Sequence, residues 1–173
     1  MGCTGGGGTV RSQYSRLPRN YLSNILHPVI GLIQRVSRAH VDVQQKTIAS
    51  IQQGICALIG VEKSDSPATA DRLLERMLSY RIFADAEGKM NRSLVDVQGE
   101  LLIVPQFTLP ADTRKGTRPG FSKAASPELG RHLFEYLKEQ ARQKYGKVCS
   151  GQFGADMQLH LVNDGPVTFW LTA

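Results

Sequence analysis

Cysteine is scarce in this chain of 173 residues: Cys3, Cys56 and Cys149 are the only three. The number is odd and no Cys-x-x-Cys pair occurs, which speaks against a disulfide framework or a zinc site and favours a reducing, cytoplasmic setting. No stretch approaches the roughly 20 apolar residues that a membrane helix needs, so no membrane partner is expected. There is no Gly-x-Ser-x-Gly elbow of the kind that presents a serine nucleophile. His, Cys and carboxylate residues do not cluster at ligand spacing, so no metal and no cofactor is expected. Acidic side chains are missing from residues 1–28, and no internal repeat is visible.

Hydrophobic residues make up 41% of the chain, which is enough for a core of ordinary size and places it outside the disordered class. The length suits one domain, over 29–173. Residues 1–28 are a different kind of sequence: a glycine run from Gly5 to Gly8, then a Ser/Arg/Asn-rich stretch with no periodic apolar face. They read as a disordered leader. Its composition also resembles a mitochondrial transit peptide, against which the glycine run and the poor amphipathicity argue. Met1-Gly2-Cys3 does not make a myristoylation signal, because Gly6 stands where Ser or Thr is required. Three of the 21 basic residues, Arg11, Arg16 and Arg19, lie in this leader, and the net charge of +6 leaves the body only mildly basic. An RNA-binding argument must therefore rest on local clusters.

From Val29 onward the pattern is strand-rich. Val29–Val36, Ala39–Val43 and Thr47–Ile51 alternate or run apolar, and Gly54–Val61 reads as a buried strand. Ser64-Asp65-Ser66-Pro67 then offers cap residues with proline in the first turn, ahead of a helix whose apolar face is Ala70, Leu73, Leu74, Met77 and Leu78. Short strands follow at Arg81–Phe83 and Ser93–Val97, then a longer one at Glu100–Phe107. Ser126-Pro127-Glu128 opens a second helix with Leu129, Leu133, Tyr136, Leu137 and Ala141 on one face, ended by Gly146. Val148–Gln152, Gln158–Val162 and Val167–Leu171 close the chain as strands. Two helices among many strands give an α+β class, a strand-rich single domain with barrel-like sheets.

Two polar stretches stand at strand ends. Pro105-Gln106-Phe107-Thr108-Leu109 follows the apolar run Leu101–Val104 and opens into a loop punctuated by Gly and Pro. That loop carries Arg114, Lys115, Arg118 and Lys123, with Asp112 as its single acid, so it can hold phosphates. Asn163-Asp164-Gly165-Pro166-Val167-Thr168 lies between the last two strands. Thr108 is a possible nucleophile, but a threonine needs an activating base. His27, His40, His132 and His160 all lie outside both stretches; His160 could approach from its strand, although a lone strand histidine is more often structural. What remains is electrostatic catalysis: the amides of Gln106, Phe107 and Thr108 could form an oxyanion hole, or could simply pair across a sheet.

The two stretches resemble the Ser-Gln-Phe-Thr-Leu and Asn-x-Gly-Pro-Val-Thr motifs of the D-aminoacyl-tRNA deacylases, formerly D-tyrosyl-tRNA deacylases. Gln34–Ala39, Arg81–Phe83, Gly88–Asn91, Ala111–Gly116 and Phe153–Met157 extend the similarity colinearly from about Val29 to the C-terminus. The resemblance implies a homodimer that hydrolyses D-aminoacyl-tRNA, and glycine mischarged on tRNA for alanine, with the 2′-hydroxyl of the terminal ribose assisting water. A 2′-hydroxyl also distinguishes RNA from DNA, so DNA is not an expected partner. It implies that Gly165-Pro166, in the cis form, projects into the partner subunit's pocket, captures the substrate amino group with its carbonyls and excludes an L side chain. Arg35 would hold that dipeptide, Met157 would contact substrate, and Arg114, Lys115 and Arg118 would bind RNA. Phe107 would stack on the terminal adenine or pack in the core. Pro105 departs from the family's Ser, removing a hydroxyl and a backbone N–H. A related animal family with relaxed chirality has Pro-Gln-Ala-Thr-Leu there, so removal of L-alanine is an alternative. A non-catalytic tRNA-binding module is another.

Overall fold

The structure, a computed structural model, describes residues 29–173. The leader over 1–28 lies outside these residues. Strand β1 (Ile30–Val43) is the spine. On one side it pairs antiparallel first with β3 (Gly54–Gly60) along Ile30–Val36, and then with β2 (Lys46–Ile51) along Ala39–Val43. Its other side carries β8 (Gln158–Thr172) along nearly the whole length. β6 (Glu100–Pro105) lies parallel to β3, and β7 (Val148–Ser150) parallel to β6. The sheet order is β2-β1-β3-β6-β7 with β8 on the free side of β1, and β4 (Phe83–Ala84) and β5 (Met90–Arg92) make a separate hairpin. The sheet curls so that β2 comes back toward β6 and β7, giving a nearly closed barrel.

Strand alternation builds two cores, one on each face of the curled sheet. From β3 and β6, Ile55, Ala57, Ile59, Leu101 and Ile103 face the helices, while Cys56, Leu102 and Val104 face the inside. The helices cover the outer face. Helix α1 (Pro67–Ser79) starts at Ser66, whose hydroxyl accepts from the Thr69 amide while the Thr69 hydroxyl accepts from the Ser66 amide. Such a reciprocal cap contributes about 1 kcal/mol. Ala70, Leu73, Leu74 and Met77 are its buried face, as the periodicity predicts. Helix α2 (Pro127–Lys144) is capped by Ser126 and buries Leu133, Leu137 and Ala141 together with Gly130 and Phe134. Tyr136 reaches α1, where its hydroxyl donates to Asp71 Oδ2 at 2.8 Å. At the C-terminal end, Gly146 adopts a φ of 81° and its amide returns to the Ala141 carbonyl.

Three local expectations are corrected. Ser93–Val97 is a turn, because Asp96 Oδ2 accepts from both the amide and the hydroxyl of Ser93, at 2.8 and 2.7 Å. β6 ends at Pro105, and residues 107–110 form a turn. The two C-terminal strands are one, because the Gly and Pro that read as a loop lie inside β8.

Candidate active site

Val104 and Pro105 deliver the chain to the rim of a cavity of about 490 Å³. Ile59, Val61, Phe134 and Leu159 form its walls, and the first turn of α2, from Ser126 to Gly130, closes one side. Gln106 and Phe107 stand at the rim, with Met157 inside. No lining residue is an acid, a base or a cysteine. Packing is tight around Gly151: a Cβ there would meet Met157 Sδ at 2.9 Å and Pro105 Cδ at 3.3 Å. Met157 is held in this corner by the Gln152 amide, which donates to its sulfur at 3.3 Å.

The turn decides which backbone donors are free. The Gln106 amide donates to the Ile59 carbonyl at 2.7 Å, so it extends the sheet and is not an oxyanion donor in this geometry. The amides of Phe107 and Thr108 donate to no acceptor among the described residues. The Gln106 side-chain amide donates to the Thr108 hydroxyl at 2.6 Å. That hydrogen bond orients the threonine without supplying a base. Phe107 is 67% exposed, which rules out core packing, and its ring lies 5.5 Å from that of Phe121. An exposed aromatic pair at a cavity mouth is a surface on which a nucleobase can stack. Motif reasoning misses Phe121, at the end of the basic loop; its position among cations is the available signal.

The basic loop is pinned at its base, where the amides of Asp112 and Gly120 exchange hydrogen bonds at 2.7 and 2.9 Å. Asp112 grips Arg114 in a fork, Nε to Oδ1 at 2.8 Å and Nη2 to Oδ2 at 2.5 Å. The hydrogen bonds and charge of Arg114 hold the Asp112 carboxyl far below the usual range. Arg114 is thereby partly neutralised. Lys115 and Arg118 are exposed and have no partner among the described residues.

Gly165-Pro166 lies elsewhere. Between Gln34 and Val36 on β1 the partner register moves from Thr168 to Asn163, so the residues between them arch outward opposite Arg35. The Gly165–Pro166 peptide is cis, and Gly165 has a φ of 140° that suits glycine alone. Arg35 braces the arch: Nε donates to the Asp164 carbonyl at 2.9 Å and Nη1 donates to the Ile82 carbonyl at 2.6 Å. Asn163 closes it from within, accepting from the Val167 amide at 2.6 Å and donating to the Thr168 hydroxyl at 2.9 Å. Asp164, Gly165 and Pro166 are exposed, and neither Gly165 nor Pro166 lines the cavity of the same chain. His160 does not approach the cavity either; it stacks on His40 on the opposite face of β8 from Leu159.

The profile of the D-Tyr-tRNA(Tyr) deacylase family matches residues 32–172. The chain belongs to this family. It is 60% identical over 141 residues to a D-aminoacyl-tRNA deacylase of Pseudomonas fluorescens (strain Pf0-1), covering 82% of this chain and 97% of that protein. It is 58% identical over 143 residues to the D-aminoacyl-tRNA deacylase of Nitrosococcus oceani, covering 83% and 92%. Among solved structures it is similar to the c-Myc DNA unwinding element binding protein, with a TM-score of 0.80, 37% identity, and coverage of 83% of this chain and 98% of that one. A probable eukaryotic D-amino acid tRNA deacylase shares the fold, with a TM-score of 0.74 at 19% identity over 84% of this chain and 99% of the other. The α+β, barrel-like fold expected for a deacylase is therefore the one observed.

Proposed function

We propose that this protein hydrolyses the ester bond of D-aminoacyl-tRNA, and of glycyl-tRNA, to free amino acid and tRNA. The observation that supports this most is a cavity with no ionisable lining that is lined by Phe107, whose amide is unpaired, as is that of Thr108 next in the chain. Such a site has no nucleophile–base pair and no metal ligands, but it can stabilise an oxyanion. An aminoacyl ester is already activated, so stabilising the tetrahedral intermediate suffices, with the 2′-hydroxyl of the terminal ribose assisting the attacking water. Phe107 and Phe121 stack on the terminal adenine, and Lys115 and Arg118 contact phosphates near the acceptor end, with Arg114 a weaker contributor.

The substrate amino group is captured by carbonyls of the Gly165-Pro166 arch of a second copy. This fits the separation of the arch from the cavity within one chain. It also fits β8, which pairs only with β1 among the described residues and leaves a 15-residue edge with Trp170 52% exposed. A long open edge invites pairing, and a two-fold dimer places each arch in the other chain's cavity. The cytoplasm is the proposed location; among the described residues no helix is long and apolar enough to cross a membrane.

Pro105 on the cavity wall favours a second reading, a deacylase that also removes L-alanine. Deacylation of D-tyrosyl-, L-tyrosyl- and L-alanyl-tRNA by the purified protein separates the possibilities. Release of the D ester alone supports the first reading, and release of L-alanine supports the second. Release of none faster than in buffer leaves a tRNA-binding module.

A further inference from the structure

On the outward face of β1 and β8, His40 and His160 are cross-strand partners. Their rings stack at 4.4 Å with 8° between the planes. Both Nε2 atoms turn toward one oxygen, Asp42 Oδ2, at 3.8 Å from His40 and 3.5 Å from His160. One ligand atom from each of the three residues fits within 4.8 Å. We propose that His40, Asp42 and His160 form a binding site for a zinc-class divalent transition metal.

The chemistry of the donor set points to that class. Two neutral imidazoles and a carboxylate suit zinc and its neighbours, whereas magnesium and calcium prefer sites made of oxygen alone. Zinc takes N and O ligands at about 2.0–2.1 Å, which in tetrahedral geometry sets the ligand atoms about 3.3 Å apart. The observed spacing is wider, 3.5 and 3.8 Å to the carboxylate oxygen and within 4.8 Å for the whole set. His40 and His160 side chains are 38% and 49% exposed, so they are free to tilt out of the parallel stack and converge on one ion. Water would fill the fourth position.

Asp42 is positioned for this role by its surroundings. The β1–β2 register shifts between Val41 and Asp42, and such a bulge re-aims a side chain. The Thr47 hydroxyl donates to Asp42 Oδ1 at 2.7 Å, leaving Oδ2 toward the imidazoles. A hydrogen bond of this kind, which orients a ligating carboxylate, is the usual support of a metal ligand. The ion would tie the start of β8 to β1, just beyond Met157 and Leu159 on the cavity side. Its expected role is to stiffen that wall rather than to take part in hydrolysis.

The test uses the full-length chain, stripped with chelator and titrated with Co²⁺ while its visible d–d absorption is followed; Zn²⁺ is then added in competition. The expected result is one Co²⁺ per chain with tetrahedral bands, displaced by Zn²⁺, and a Tm raised by Zn²⁺. His40→Gln, Asp42→Asn and His160→Gln should each weaken binding about tenfold or more. Cys3→Ser and His27→Gln, in the leader, should leave it unchanged. Absence of tetrahedral bands at about 1 mM Co²⁺, or affinity indifferent to the three site variants, would overturn the proposal.

Discussion

Arg35 holds Asp164 by two groups at once, its Nε lying 2.9 Å from the Asp164 carbonyl and 3.2 Å from the carboxylate. The pair fixes the exposed arch to β1, while Nη1 anchors the same guanidinium to Ile82 behind it. Replacing Arg35 by Met keeps the stem's packing and removes the guanidinium with its hydrogen bonds. Charge-assisted hydrogen bonds of this kind contribute roughly 1.5–3 kcal/mol each, so the arch should loosen. The expected outcome is a fall of about 10- to 100-fold in kcat/KM on D-tyrosyl-tRNA, with a reduced D-to-L ratio. An unchanged ratio would show that the Arg35 brace plays no part in chiral selection.

Thr108→Ala should retain activity within about tenfold of the parent. The variant loses the hydroxyl and its hydrogen bond with Gln106, but keeps the backbone amide beside Phe107. Single-turnover kinetics with D-tyrosyl-tRNA check this. A loss of the size caused by deleting a nucleophile, or a trapped acyl-enzyme, would contradict the backbone mechanism.

Phe107→Ala should raise KM for the tRNA substrate far more than it lowers kcat. Loss of one stacked base corresponds to about 1–3 kcal/mol, and the exposed ring fills no part of the core that its removal would empty. A fall in kcat at constant KM would place the ring in the chemical step instead.

Neutralising Lys115 and Arg118 together should flatten the dependence of log affinity on log salt by about 0.7–0.9 for each phosphate that is no longer neutralised. Arg114→Ala should flatten it less, because Asp112 already holds that guanidinium. Filter binding of tRNA across a salt series reads both slopes. Equal slopes for all variants would remove the loop from the interface.

Asp65 supplies a pH signature. Burial pushes its carboxyl up to about 6, against the hydrogen bond from the Glu62 amide and in the same direction as the Glu62 charge. Its Oδ1 is buried without a hydrogen-bond partner. A raised acid binds its proton more tightly in the folded state, so this group favours folding at low pH. Its contribution falls as pH rises from about 4 to about 6 and stays lost above that. Asp65→Asn should flatten the stability profile in that window, as measured by urea midpoints at a series of pH values. A parent profile that the substitution leaves unaltered would contradict the assignment.

The helices are readable in the sequence because each announces itself with Ser-Pro at the start and an apolar face with helical spacing. The sheet cores are readable from the alternation in β3 and β6. Ser93–Val97 is not, because a local Ser–Asp hydrogen-bond pattern outweighs the strand tendency of its two valines. Gly165 and Pro166 look like a loop because only the register with β1 reveals an arch within one long strand. Pairing of the Gln106 amide depends on where β6 ends, and a shift of two residues decides which amides stay free. The His40–Asp42–His160 triad joins two residues of β1 to one near the far end of the chain, so no spacing rule could find it.

Initial rates on D-tyrosyl-tRNA and L-tyrosyl-tRNA, measured in parallel with the purified protein, report whether a D-aminoacyl ester is hydrolysed at a site without an ionisable catalyst. D-tyrosine should be released far above the buffer rate and L-tyrosine at the buffer rate. Equal rates on the two esters, or no release above buffer from either, would contradict the proposed activity.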